Sequence, residues 1–117
     1  MNIIFGSDQA ELLETKYTVL ELDTIRFGES GSEVAVYCTI ENIPISDLPK
    51  VSSMKTLHKS LIEHYRGREW QICLDVIEYL YGFWNNEVDT FYEEIKSRCN
   101  QYLQEDPGPT WNYVLQK

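Results

Sequence analysis

The apolar period of this chain changes near residue 50, and that change restricts its fold more than any other feature of the sequence. Before it, residues recur in twos. Glu33 to Ile43 alternates, with Val34, Val36, Cys38 and Ile40 on one face and Glu33, Tyr37, Thr39 and Glu41 on the other, as a half-buried strand requires. Tyr17 to Phe27 is also rich in β-branched and aromatic residues, which suit a pleated surface. Its phase slips at Val19, Leu20 and Leu22 and returns at Ile25 and Phe27. Such a strand is either buried on both faces or carries a bulge. The five residues between the runs, Gly28-Glu29-Ser30-Gly31-Ser32, read as a hairpin turn with two positions open to positive φ. Upstream, Asn2 to Phe5 reads as a short strand, and Ser7 or Asp8 as the cap of a small helix running through Leu13.

Beyond Ile43-Pro44-Ile45-Ser46-Asp47-Leu48-Pro49, a loop broken twice by proline, the period becomes helical. Met54, Leu57, Leu61 and Tyr65 form one stripe, capped by Ser52 or Ser53 and ended by Gly67. Trp70, Cys73, Leu74, Ile77, Leu80 and Tyr81 form the next, ended by Gly82. Asn86 is expected to cap the third, with Val88, Phe91, Tyr92, Ile95, Cys99, Tyr102 and Leu103 as its stripe. Turns this short make consecutive helices antiparallel. Asp106-Pro107-Gly108-Pro109 stops the last helix and leaves Trp111 and Val114 in an apolar tail that can fold back as an anchor. The expectation is an α+β fold: a small antiparallel sheet in the order strand-helix-strand-strand, followed by a three-helix antiparallel tail. With 117 residues the chain reads as one domain. Its parts are a sheet-forming half (1–45), a helical half (51–105) and a C-terminal anchor (106–117).

The net charge of -9, from 19 acidic and 10 basic residues, opposes binding to nucleic acid or to an anionic membrane surface. No apolar run is long enough to span a bilayer. The first residues, Met1 to Asp8, lack the basic region and apolar stretch of a signal peptide. Cys38, Cys73 and Cys99 are odd in number and far apart, which excludes a zinc ribbon and a Cys-x-x-Cys redox pair. Each falls among apolar residues, as buried thiols of a reducing cytosol do.

The helical half resembles, over one hairpin, a tetratricopeptide unit: a helix ending in Tyr65, the turn Arg66-Gly67-Arg68, and Glu69-Trp70 opening the next. Residues 3 to 114 together resemble the C-terminal end of bacterial class III adenylate cyclases. The matching stretches are Ile3-Ile4, Ala10-Glu11-Leu12-Leu13, Glu21 to Arg26 and Val34-Ala35-Val36-Tyr37. They are followed by Tyr65, Arg68-Glu69-Trp70 and Pro109-Thr110-Trp111-Asn112-Tyr113-Val114. Tyr17 to Thr24 and Asn86 to Tyr92 are similar to short proteins of T4-like marine phages. The cyclase resemblance implies shared shape without the activity. The metal-binding aspartates, the purine-selecting residues and the lysine of the hairpin turn in those enzymes have no counterpart here. No cofactor is implied.

Four groups of residues bear on chemistry. Glu21 and Asp23, at i and i+2, share a strand face and could act as an acid/base pair or hold a divalent ion. The plainer reading is a solvated or salt-bridged patch, since a hard cation wants a third oxygen ligand. His58 and His64 point about 120° apart on a helix and cannot chelate one metal, so they read as surface histidines. Ser30 and Ser32 read as turn residues, with no nucleophile-elbow pattern around them. Trp70, Phe83, Trp84 and Trp111 could stack on a base or sugar; Tyr65, Trp70 and Trp111 read as structural anchors.

A three-stranded sheet leaves edges to be covered, and Glu33–Ile43 carries no lysine and no proline to blunt one. The expectation is therefore a homo-oligomer, a dimer paired through that strand, acting by protein–protein contact in the bacterial cytosol or a phage-infected host. A phage or host protein is a further possible partner. Two alternatives stand beside it: a small-molecule sensor, and a metal-dependent hydrolase using Glu21 and Asp23.

Overall fold

A computed structural model describes residues 1–28 and 31–116. Along the chain run β1 (Asn2–Phe5), α1 (Ser7–Leu13), β2 (Thr18–Arg26) and β3 (Glu33–Ile40). A 3-10 helix, Ile45–Lys50, then leads into α2 (Val51–Arg66), α3 (Trp70–Leu80), α4 (Asp89–Gln104) and finally β4 (Val114–Gln116). Two compact units result. Met1–Glu41 joins Tyr113–Lys117 in a sheet unit, and Asn42–Asn112 forms a helical unit. The α+β class and the helical run after the sheet agree with the sequence reading, while three details do not.

The first is the place of the alternating strand. β3 lies inside the sheet, whose order is β1-β3-β2-β4. It pairs antiparallel with β1 over Val36–Thr39 on one side and with β2 on the other, so it is an inner strand of the sheet and not the outer one. The reason is β1, whose four residues lie along the Val36–Thr39 half of that flank. The second is the number of strands. The tail contributes β4, which runs parallel to β2 with Thr24 opposite Val114 and Arg26 opposite Gln116. Gln116 Nε2 also donates to the Gly28 carbonyl at 2.6 Å.

The third concerns helix starts. Lys50 and Val88 occupy the N-cap positions of α2 and α4, displacing Ser52 or Ser53 and Asn86, and Gly6 precedes α1. The 3-10 turn through Pro49 already delivers the chain in helical conformation, so α2 needs no side-chain cap. Ser53 instead donates to the Lys50 carbonyl at 3.0 Å. Asn85 and Asn86 take φ of 53° and 62°, left-handed values that asparagine tolerates, and cannot begin a helix. Asp89 Oδ1 closes this turn by accepting from the Gly82 N–H at 2.7 Å.

The irregular phase of β2 has a definite cause. Glu21 faces Tyr37 and Thr24 faces Ala35, so Leu22 and Asp23 together oppose Val36. This one-residue bulge reverses the alternation. Leu20, opposite Cys38, and Ile25, opposite Val34, therefore share a face despite their odd spacing. At the other end of the pair both faces are closed: Val19 and Thr39 are buried, as are Leu20 and Cys38. In the hairpin turn, Gly28 takes φ +76°. At Gly31 any Cβ would strike the Phe27 carbonyl. Ser30 and Glu29 lie outside the described residues.

In the helical unit, Leu61, Ile62 and Tyr65 of α2 are buried, with Trp70, Cys73, Ile77 and Leu80 of α3 and Phe91, Tyr92, Ile95 and Cys99 of α4. Trp84 and Val88, from the connection between α3 and α4, complete that core. Tyr81 and Leu103, placed on apolar stripes by spacing alone, end exposed. No helix among the described residues is long and apolar enough to cross a membrane.

Candidate functional site

Strand β1 reads Asn2-Ile3-Ile4-Phe5, with no charged side chain. Its period of two puts Ile3 and Phe5 on one face, opposite Cys38 and Val36 of β3. Cys38 and Val36 are buried, whereas Ile3 and Phe5 are 47% and 55% exposed. The apolar face of the sheet thus continues onto its outer strand and meets solvent there. Because β1 ends the strand order, its outward N–H and C=O groups have no strand partner among the described residues. Proteins normally blunt such an edge with lysine, proline or a bulge; β1 has none of these. At the other end of the order, β4 covers Thr24–Arg26 of β2.

Glu21 and Asp23 lie on either side of buried Leu22, both half-buried. The bulge falls at this point, so the alternation behind the i, i+2 argument is interrupted there. Among the described residues no group of three His, Cys, Asp or Glu side chains is placed to hold a metal ion.

His58 corrects the sequence reading. It is 1% exposed, with Nδ1 2.8 Å from the Tyr92 hydroxyl, which also accepts from Trp84 Nε1 at 3.0 Å. Trp84 is buried with it. The signal was present: Leu61, Ile62 and Tyr65 stand three, four and seven residues after His58, which places it on their stripe. A polar ring is tolerated there because its buried Nδ1 is hydrogen-bonded to the tyrosine. His64 lies apart from it, its Nδ1 2.9 Å from Glu69 Oε1 at the α2–α3 turn.

Tyr65, Trp70, Tyr102 and Trp111 converge. Trp111 meets Trp70 edge-on at 5.0 Å between ring centres and Tyr65 at 5.6 Å. Tyr102 lies 4.7 Å from Trp70, and its hydroxyl is 3.3 Å from Trp111 Nε1. Arg68 holds the segment from the other side. It donates to the Gly108 carbonyl and to Asp106, at 2.9 and 2.7 Å, and its guanidinium lies 5.7 Å from the Trp111 ring centre. These rings pack on one another and tie the C-terminal segment to the helices.

The three cysteines are buried. Cys73 and Cys99 are hydrogen-bonded to each other; that bond and burial push the Cys73 pKa far above an ordinary thiol.

A second surface lies within the helical unit, where α3 and α4 enclose a groove of about 510 Å³. Tyr81 at its margin donates to Glu93 Oε1 at 2.5 Å. The carboxylate favours the neutral phenol and raises the Tyr81 pKa. No protein-family model, curated protein or solved structure matches this chain.

Proposed function

We propose that this chain is a non-catalytic interaction protein that pairs with a second copy of itself through the outer edge of β1. One observation carries the reading: Ile3 and Phe5 extend the buried face of Cys38 and Val36 onto an uncharged strand with an open backbone edge. A two-fold axis perpendicular to the sheet lets β1 pair antiparallel with its own copy. With Ile4 opposite Ile4, each Ile3 faces the partner copy's Phe5 on the same side of the sheet, and the two apolar strips merge. The charge of -9 opposes close approach over most of the surface; the uncharged edge is where two copies can meet. The cyclase resemblance supports a shared shape without the catalytic groups, and a working place in the cytosol of a bacterium or a phage-infected host fits the reading.

Light scattering tests it. The expected mass at micromolar concentration is twice 13.8 kDa, and Ile3→Lys combined with Phe5→Lys returns it to the single value. A folded protein that stays at 13.8 kDa at about 100 µM, well above the Kd of a specific interface, rules the reading out. So does a dimer that survives both lysines. Incubation with ATP and Mg²⁺ or Mn²⁺ is expected to give no cyclic nucleotide above a buffer control.

A further inference from the structure

Helix α3 is apolar around most of its circumference, and a helix of that kind is ordinarily covered on every side. Here one side is covered: Trp70, Cys73, Ile77 and Leu80 are buried. Ile72 and Tyr79 remain 40% and 73% exposed, and Leu74 lies half-buried in the groove that α3 forms with α4. Leu74, Ile77 and the Tyr81 ring give the groove an apolar floor. Its lips are acidic on both sides, with Asp75 and Glu78 on α3 and Glu93 on α4, against one cation, Lys96. We propose that this groove receives an amphipathic helix of a partner protein that carries Lys or Arg on both flanks of its apolar stripe.

Shape and charge support the same occupant. A trough between two packed helices is where the ridges of a third fit, and a helix in a groove is read through apolar anchors at i, i+3, i+4 and i+7. The lining runs from Gln71 to Tyr81, about 15 Å at the helical rise, which accommodates roughly three turns of a partner. Carboxylates on both lips select basic flanks and repel acidic ones, so they set specificity. The Tyr81 hydroxyl holds the Glu93 carboxylate at the lip in advance of binding. The excess negative charge of the whole chain draws a cationic helix toward it. A second copy would bring the same acidic lips to the groove, which separates this surface from the β1 edge.

The test uses the full chain and a fluorescein-labelled synthetic peptide of about 18 residues, Leu and Lys patterned as an amphipathic helix, with anisotropy as the readout. Saturable one-to-one binding is expected. Asp75→Lys with Glu78→Lys should weaken it about tenfold or more, and Leu74→Ala several-fold. Glu11→Lys with Glu14→Lys, the same charge change at residues that do not line the groove, should shift it less than about twofold, since exposed charges that make no direct contact with the peptide are largely screened. Circular dichroism confirms that each variant is folded. Equal losses from the two charge changes would overturn the proposal, because bulk charge would then account for the binding. Equal binding of a scrambled peptide, or no saturation at about 100 µM, would overturn it as well. The Ile3→Lys, Phe5→Lys protein should bind the peptide as the natural chain does, so failure of self-association and failure of the groove are read separately.

Discussion

Tyr92 and Phe5 are both aromatic residues on the apolar face of a regular element, and they end in opposite situations. Tyr92 is fully buried, its hydroxyl shared between His58 and Trp84. Phe5 is more than half exposed. In the helical unit, short turns bring each stripe against the next, so a helix finds its cover from neighbours in sequence. In the sheet unit, β1 ends the strand order, and Ile3 and Phe5 on it remain exposed. Substitutions that act through packing should therefore fall heavily on the helices, and those that act through association on the sheet edge.

Trp84→Ala should have the largest effect. A fully buried indole lost from the core costs about 3–5 kcal/mol, read as a lower midpoint in chemical denaturation. A loss below about 1 kcal/mol would place Trp84 outside the working core. Tyr92→Phe keeps the ring but removes the hydroxyl that meets His58 Nδ1 and Trp84 Nε1, at about 1–3 kcal/mol; an unchanged midpoint would show that the shared hydroxyl is dispensable. Phe5→Lys should move the midpoint of dilute protein by less than about 0.5 kcal/mol, while the mass seen by light scattering halves. If it unfolds the protein instead, the contrast between the two units fails. The smallest effect is expected at the thiols. Cys38, Cys73 and Cys99 are buried, so a thiol reagent should label none of them in the native protein and all three in denaturant.

The helical unit was the more legible of the two, because its signals are local. The intervals from Trp70 through Cys73 and Ile77 to Leu80 mark one face of one helix, and the structure buries all four. Where legibility failed, the deciding contacts lay far away in sequence. Pairing of Ile3 with Cys38 makes β1 the outer strand and moves β3 inside, and nothing within either run announces it. The β2 bulge was readable as a slip of phase; its position between Glu21 and Thr24 depends on register with β3. β4 was hidden because three residues after a Pro-Gly-Pro stop carry too little pattern to declare a strand. The exposure of Ile3 and Phe5 and the groove beside α3 likewise follow from tertiary placement. His58 is the exception, since its spacing was in plain view and its polarity argued against the interior.

Strand β4 also orders the way this chain is made. Thr24 and Val114, about 90 residues apart, meet in the same ladder. During synthesis, at roughly 5–20 residues per second, β1, β2 and β3 emerge seconds before β4 does. Hairpins and helices form in about microseconds, so the helices have ample time to form before β4 joins the sheet. Through that interval the Thr24–Arg26 segment of β2 waits as a second unpaired edge. Slow translation of the residues leading up to β4 would lengthen the wait, and the nascent chain would be most prone to wrong strand pairing just before β4 emerges.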